Sequence, residues 1–390
     1  MPRQAADDET NRRRFLGYTG AALFGTTALA GCSDENGGEG GNESGGGNGG
    51  ESNGTQEQEP VEPEGEPITA EGVSWEELDP LEGELVIYSG RTEDQISPLL
   101  REIDDLYDDL TLETRYGDSA GMVGQIEEEG ENSPADLFYT QDSGTLGALK
   151  EAGRTAPLTE DVIDTVTEEY RDPEGTWTGV SGRVRCVAYN ADVWDEEELP
   201  DDIFEYADDE RFENEMGWRV DSGSFLSFIR AMMIEYGEEE TREWIEGLQG
   251  LGITNYEGGS TTPEAIANQE VSIGFVNHYY VGRLIEDQPD APVGVTFTDG
   301  DIGSLFNVSG VSVVDSSDDP DLARNFTRHL LTTEGQEFFV ETNAEYAVIP
   351  SVEYVGDLPD AEEVNPPQFD LNQLSDVEPA QDLLRETGVL

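Results

Sequence analysis

From Leu85 onward, short apolar runs bounded by glycine alternate with stretches whose apolar residues recur every three or four positions. The first run, Leu85-Val86-Ile87-Tyr88, lies between Gly83 and Gly90, as expected of a parallel strand covered on both faces. Ser97-Pro98 is then expected to start a helix with Leu99, Ile103, Leu106 and Leu110 on one face. Residues 111–116 and 136–139 read as the next strands. Strands at 218–220, 271–276 and 310–314 then alternate with helices at 225–236, 263–268, 281–285 and 322–331. The alternation predicts an α/β fold with a mostly parallel sheet, repeated in two units. No short period recurs, which argues against solenoids and propellers.

At 390 residues and 35% hydrophobic, the chain has enough apolar surface for two ordinary lobes. Its 88 acidic residues against 20 basic ones give a net charge of −68, and Lys150 is the one lysine. Such a chain repels itself in dilute buffer, whereas at molar salt the Debye length shrinks to about 3 Å and the repulsion is screened. The composition therefore points to a salt-loving source. Disordered acidic chains lack aromatics and apolar periodicity, and this one has both from Glu84 on. With no basic stripe to neutralise phosphates, nucleic acid is not an expected partner.

Arg12-Arg13 before Phe15-Leu16, a short apolar stretch and Leu29-Ala30-Gly31-Cys32 resemble a twin-arginine export signal ending in a lipobox. Residues 1–31 are expected to be removed and Cys32 to carry lipid, anchoring the protein on the outer face of the cytoplasmic membrane. Residues 32–80 are nearly all Gly, Glu, Ser, Asn, Gln and Pro, the composition of a tether. The glycine run 45–50 has no strand before it and no helix after it, so it is no phosphate loop, and Asn53-Gly54-Thr55 is a possible glycosylation sequon. Cys186 lies in an apolar run and is expected to be buried, with no disulfide to Cys32.

The most informative segment is Phe275-Val276-Asn277-His278-Tyr279-Tyr280, where a strand ends and a helix begins. In open α/β sheets, ligands sit outside such strand ends. Phenolate oxygens are hard anionic donors, which suit Fe(III), and a bound trivalent cation lowers the pKa of a phenol. Two phenols packing a lobe interface or stacking on an organic ligand fit these residues equally well. Asp221-Ser222-Gly223-Ser224 also joins a strand to a helix, where hydroxyls and free N–H groups make either an anion site or an ordinary helix cap. Asp299-Gly300-Asp301 and residues 315–321 lack the Gly and Glu that a calcium loop requires. No Ser-His-Asp, His-Glu-x-x-His or CxxC arrangement is visible, so the chain is not expected to be an enzyme.

Further segments carry a resemblance: Val86-Ile87-Tyr88-Ser89-Gly90-Arg91, Arg115-Tyr116-Gly117-Asp118-Ser119, Pro134-Ala135-Asp136-Leu137-Phe138, Gly179-Val180-Ser181-Gly182-Arg183-Val184-Arg185, Asn277-His278-Tyr279-Tyr280, Thr333-Glu334-Gly335-Gln336 and Glu345-Tyr346-Ala347-Val348-Ile349-Pro350. Through these, residues 84–390 resemble the ferric-iron-binding proteins of bacterial iron ABC importers, in the periplasmic-binding-protein superfamily. The resemblance implies a two-lobe, type II fold, with lobe 1 near 84–185 and 311–358 and lobe 2 near 186–310 and 359–390. Two crossover segments, near 181–185 and 307–310, would form a hinge. It implies Fe(III) as cargo on Tyr279 and Tyr280, with a synergistic anion, phosphate or carbonate, on Ser222, Gly223, Ser224 and Asn277. Thr92 stands where some relatives carry a histidine, and Asp142 is the one acid where they carry a glutamate. Asp142 or water would complete the iron shell, with Arg91 positioning the anion. Arg183 and Arg185 are expected to pair with surface acids, His278 to orient its loop and His329 to be a surface or packing residue. The implied protein is a monomer that works with a permease and an ATPase. A binding protein for an organic cation (polyamine or thiamine) or a small anion, and a surface lipoprotein without transport function, are the alternatives.

Overall fold

Thirteen consecutive buried residues, Thr178–Asn190, form the longest strand and tie the two halves of the molecule together. In the computed structural model, residues 72–354, 358–359 and 361–390 are described, all within the unit Glu64–Leu390. The expected export signal and Cys32 lie outside the described residues. In chain order the strands are β1 (Gly83–Ser89), β2 (Leu110–Tyr116), β3 (Leu137–Thr140), β4 (Thr155–Ala156), β5 (Thr178–Asn190), β6 (Met216–Trp218), β7 (Thr254–Asn255), β8 (Ile273–Asn277), β9 (Val293–Thr296) and β10 (Phe306–Val314).

They form one continuous path, β2-β1-β3-β10-β5-β8-β6-β7, with β4 on β10 and β9 on β5. The first half of β5 pairs with β10 (Thr178↔Val311 to Val184↔Phe306), and the second half with β8 (Arg185↔Asn277 to Tyr189↔Ile273). The lobes therefore meet at Val184 and Arg185. Within each lobe the strands expected from periodicity are parallel, β1 with β2 and β3, and β6 with β7 and β8. The sheet as a whole is mixed rather than mostly parallel, because β5 and β10 run antiparallel to their neighbours as they cross.

The first helix runs Glu93–Leu106 and so begins four residues before the expected Ser97. Thr92 N–H donates to Gln95 Oε1 (3.0 Å), which sets the helix start ahead of Pro98. Pro98 then sits inside the helix, where it cannot donate to the carbonyl four residues back. Ile96, Leu99, Leu100 and Ile103 form the buried face, while Leu106 is 44% exposed and Leu110 opens β2. Part of the expected tether also belongs to the fold. Trp75 Nε1 donates to the His329 carbonyl (2.8 Å), and Ser74 Oγ donates to Glu334. One indole supplies the apolar area that the surrounding polar composition lacks.

Past lobe 1 the chain returns along the helix Ser143–Glu151, where a Cβ on Gly144 would stand 2.5 Å from the Leu374 carbonyl oxygen. Trp177 Nε1 donates to Asn372 Oδ1 (3.1 Å), and the helix Glu378–Glu386 then packs on Gly223–Glu235 of lobe 2. This strap joins the lobes in addition to β5 and β10. No helix of the described residues is long and apolar enough to cross a membrane.

Candidate metal and anion site

β8 ends at Asn277, and the helix His278–Asp287 starts at once, so Tyr279 and Tyr280 occupy its first turn at the junction of the lobes. The Tyr279 ring is 7% exposed and lies 4.3 Å from the Tyr280 ring, centroid to centroid. Asn277 Nδ2 donates to Ser224 Oγ (3.2 Å) and to Tyr279 Oη (3.3 Å), linking the phenols to the serine segment. Burial pushes the Tyr280 phenol above its ordinary range, as does its hydrogen bond to Tyr279, whereas the Arg219 and Arg283 charges act in the opposite direction.

Ser222 caps the helix Gly223–Glu235, its Oγ accepting from Phe225 N–H (3.2 Å). The ordinary cap is thus present, and the hydroxyl proton remains available as a donor. Beside it lies a cavity of about 20 Å³ bordered by Arg185, Arg219, Ser222, Ser224, Asn277 and Tyr280. A water needs roughly 10–15 Å³, so the space suits one small species. A larger cavity, about 610 Å³, is bordered by Tyr170, Phe306, Tyr346 and Phe369 and by none of these site residues.

Arg183 and Arg185 do not pair with surface acids. Each is 7% exposed, in a strand buried along its whole length, so the acids outside have no access. Neither has a carboxylate within 4.0 Å or a hydrogen bond among the described residues. The Arg185 guanidinium instead lies over the rings of Phe228 (4.9 Å) and Phe225 (5.7 Å), and burial lowers its pKa to about 10. In a chain with 88 acids, Arg185 is thus buried with no acid beside it among the described residues.

Asp142 approaches from lobe 1. It caps the helix Ser143–Glu151, its Oδ1 accepting from Thr145 N–H (3.1 Å), and its Oδ2 lies 4.0 Å from where a Cβ on Gly223 would stand. Burial raises its pKa, and Arg183 opposes that rise. Arg91 does not stand free for an anion. It is 1% exposed and holds Glu345 through two bonds of 3.0 and 2.9 Å, with Ser181 Oγ at 3.2 Å. An ion pair so thoroughly removed from water keeps its partner, which is why the expected role does not fit this arrangement. Thr92 is exposed at the start of its helix. His278 Nδ1 accepts from Val184 N–H (3.1 Å), and burial lowers its pKa to about 3. His329 is buried between Tyr107 and the Asn325 carbonyl, a packing role. Cys186 is buried and free, its pKa pushed up to about 12 by burial.

Among the described residues no group of three or more His, Cys, Asp and Glu is placed to hold a metal. Residues 132–371 match the family described as bacterial extracellular solute-binding protein. The chain belongs to this family. It is 30% identical over 286 residues to the major ferric iron-binding protein of Neisseria meningitidis, covering 72% of this chain and 85% of that one. It is 31% identical over 264 residues to iron uptake protein A1 of Synechocystis, covering 64% and 73%. The fold superposes on iron-bound HitA from Pseudomonas aeruginosa with a TM-score of 0.72 and 29% identity, covering 78% of this chain and 99% of that one. The type II two-lobe architecture is thus that of the family, and these relatives are binding and uptake proteins rather than enzymes.

Arg219 and Gly259 escaped the reading of the sequence, and Arg185 was assigned to surface acids instead of the site. The signal for Arg185 was present, since an arginine inside the apolar run 180–189 has no surface to reach. Gly259 carried no such signal, because its role depends on Tyr280, which reaches it only in the fold.

Proposed function

We propose that this solute-binding protein captures ferric iron outside the cell and delivers it to the permease and ATPase of an importer. Tyr279 and Tyr280 bind the metal as phenolates, and a small exogenous anion sits among Ser222, Gly223, Ser224, Asn277 and Arg185. Asp142 or water completes the shell. One observation carries the reading: of two adjacent phenols at a lobe junction, Tyr280 borders a donor-lined cavity whose wall includes Arg185, a buried arginine with no acid beside it among the described residues. Phenolates supply hard negative oxygen for a trivalent ion, and the anion satisfies Arg185 while closing the coordination. The cavity's size favours an anion such as carbonate or phosphate over a bulky chelate. Arg185 in its wall, with no acid beside it among the described residues, opposes a polyamine or thiamine by like charge. Lobe closure then buries the cargo, and the closed form is the one the importer receives. The protein acts as a lipid-anchored monomer held by Cys32.

Adding Fe(III) in molar salt should produce a visible phenolate-to-iron charge-transfer band. Tyr279→Phe combined with Tyr280→Phe should abolish it. An unchanged band in the double variant would overturn the assignment of the ligands.

A further inference from the structure

Four residues at the end of the helix Thr333–Asn343 collect contacts from several parts of the molecule. The Asn343 carbonyl accepts from both Nε (3.1 Å) and Nη2 (2.9 Å) of Arg283, which lies on the tyrosine-bearing helix of lobe 2. Asn343 Nδ2 donates to the Gln95 carbonyl of the first lobe 1 helix (3.1 Å). Ala344 takes the left-handed conformation that ends its helix (φ 54°), and a Cβ on Gly282 would stand 3.2 Å from its methyl group. Glu345 holds Arg91 and Ser181. Tyr346 exchanges backbone hydrogen bonds with Gly182 of β5 (2.7 and 2.8 Å) and stacks on His278 at 4.3 Å.

The same Arg283 guanidinium lies over the Tyr279 ring, 5.1 Å from its centroid. Among the described residues Arg283 has no carboxylate within 4.0 Å, although acids outnumber bases 88 to 20 in the chain. Its polar edge is committed to lobe 1 and its flat face to a phenol of the site. An arginine is suited to this double use because its planar group stacks and donates at once, which an ammonium cannot do.

We propose that Arg283 is a positioning residue for the tyrosine pair. It fastens the tyrosine-bearing helix to the 343–346 segment of lobe 1 and lays a positive face on Tyr279, so that phenol geometry and lobe angle are set together. The proposal rests on the reading of Tyr279 and Tyr280 as iron ligands, but its mechanical half concerns the metal-free chain as well. Opening the lobes requires the Arg283–Asn343 contact to rearrange, and the disturbance reaches Tyr279 directly.

The test uses the full chain in molar salt, with Arg283→Met and Arg283→Lys. In the metal-free protein, amide hydrogen exchange across residues 278–287 and 343–346 should accelerate in Arg283→Met, with exchange in β1 and β3 unaltered. With Fe(III) bound, transfer of iron to EDTA should speed by about tenfold, the worth of one charge-assisted hydrogen bond. The charge-transfer maximum should also move, a signature that a purely structural contact would leave in place. Arg283→Lys, which keeps the charge but not the paired donors, should fall between Arg283→Met and the parent in both rates. Arg283→Met with parental exchange and parental iron transfer would overturn the proposal. Accelerated exchange with no iron band even in the parent would uphold the fastening role and reject the iron reading instead.

Discussion

A Cβ placed on Gly259 would lie 1.9 Å from Cζ of Tyr280 and 2.1 Å from its hydroxyl oxygen. Glycine is therefore required at 259 by a ring twenty-one residues further on, not by its own backbone torsion. Gly259→Ala should push the Tyr280 phenol out of place while leaving the fold intact. We expect iron to bind at least about tenfold more weakly, with the charge-transfer band reduced, as a misplaced ligand costs a substantial part of its bond. Titration with Fe(III) alongside circular dichroism would check this. Parental affinity in the alanine variant would contradict the packing argument.

The Arg91–Glu345 pair should matter to stability more than to ligand capture. Although burial works against its charge, Arg91 and Ser181 hold the Glu345 carboxylate below its usual range. Its stabilisation is present above the unfolded carboxylate pKa and is lost as pH falls through the lower folded value. Arg91→Met leaves a buried charge unpaired, at a cost of about 3–5 kcal/mol, and Arg91→Met with Glu345→Met should recover part of it. Denaturant melts of the three proteins at neutral pH test the sign. A single variant as stable as the parent would show that the pair contributes nothing.

His329 gives a linkage of the same sign at higher pH. Burial lowers its pKa to about 4, from 6.5, while Tyr107 and the Asn325 carbonyl hold the neutral ring. Between those values the unfolded chain binds the extra proton, so stability rises with pH across this window and is lost as pH drops from 6.5 toward 4. The full difference is on the order of 3 kcal/mol. Replacing the ring by His329→Gln should flatten the dependence of the melting temperature on pH in that window. Parallel curves for the two proteins would remove His329 from the account.

The charge of −68 predicts a strong demand for salt. Most ion pairs are at the surface and contribute little, so they do not offset the repulsion in dilute buffer. Folded structure should fade as salt falls below roughly molar concentration and the screening length grows. Melting temperature measured against potassium chloride would show it. A flat curve down to millimolar salt would refute the reading.

What the sequence by itself determined is local. The apolar runs and three-to-four spacing identified the strands and helices of both lobes, since periodicity reports which face of an element is covered. The strand-to-helix junctions at 221–224 and 277–280 were legible because a turn between such elements leaves polar side chains and N–H groups at a sheet's end. The tertiary structure decided who meets whom across the chain. It gave Arg91 to Glu345, left Arg185 without an acid, set Asp142 opposite Gly223, and placed Tyr280 against Gly259. The physical reason is that helix and strand periods are set within a few residues, whereas these partnerships depend on β5 carrying the chain from one sheet into the other. With four acids for every base, no count of charges could say which arginines the fold would keep apart from carboxylates.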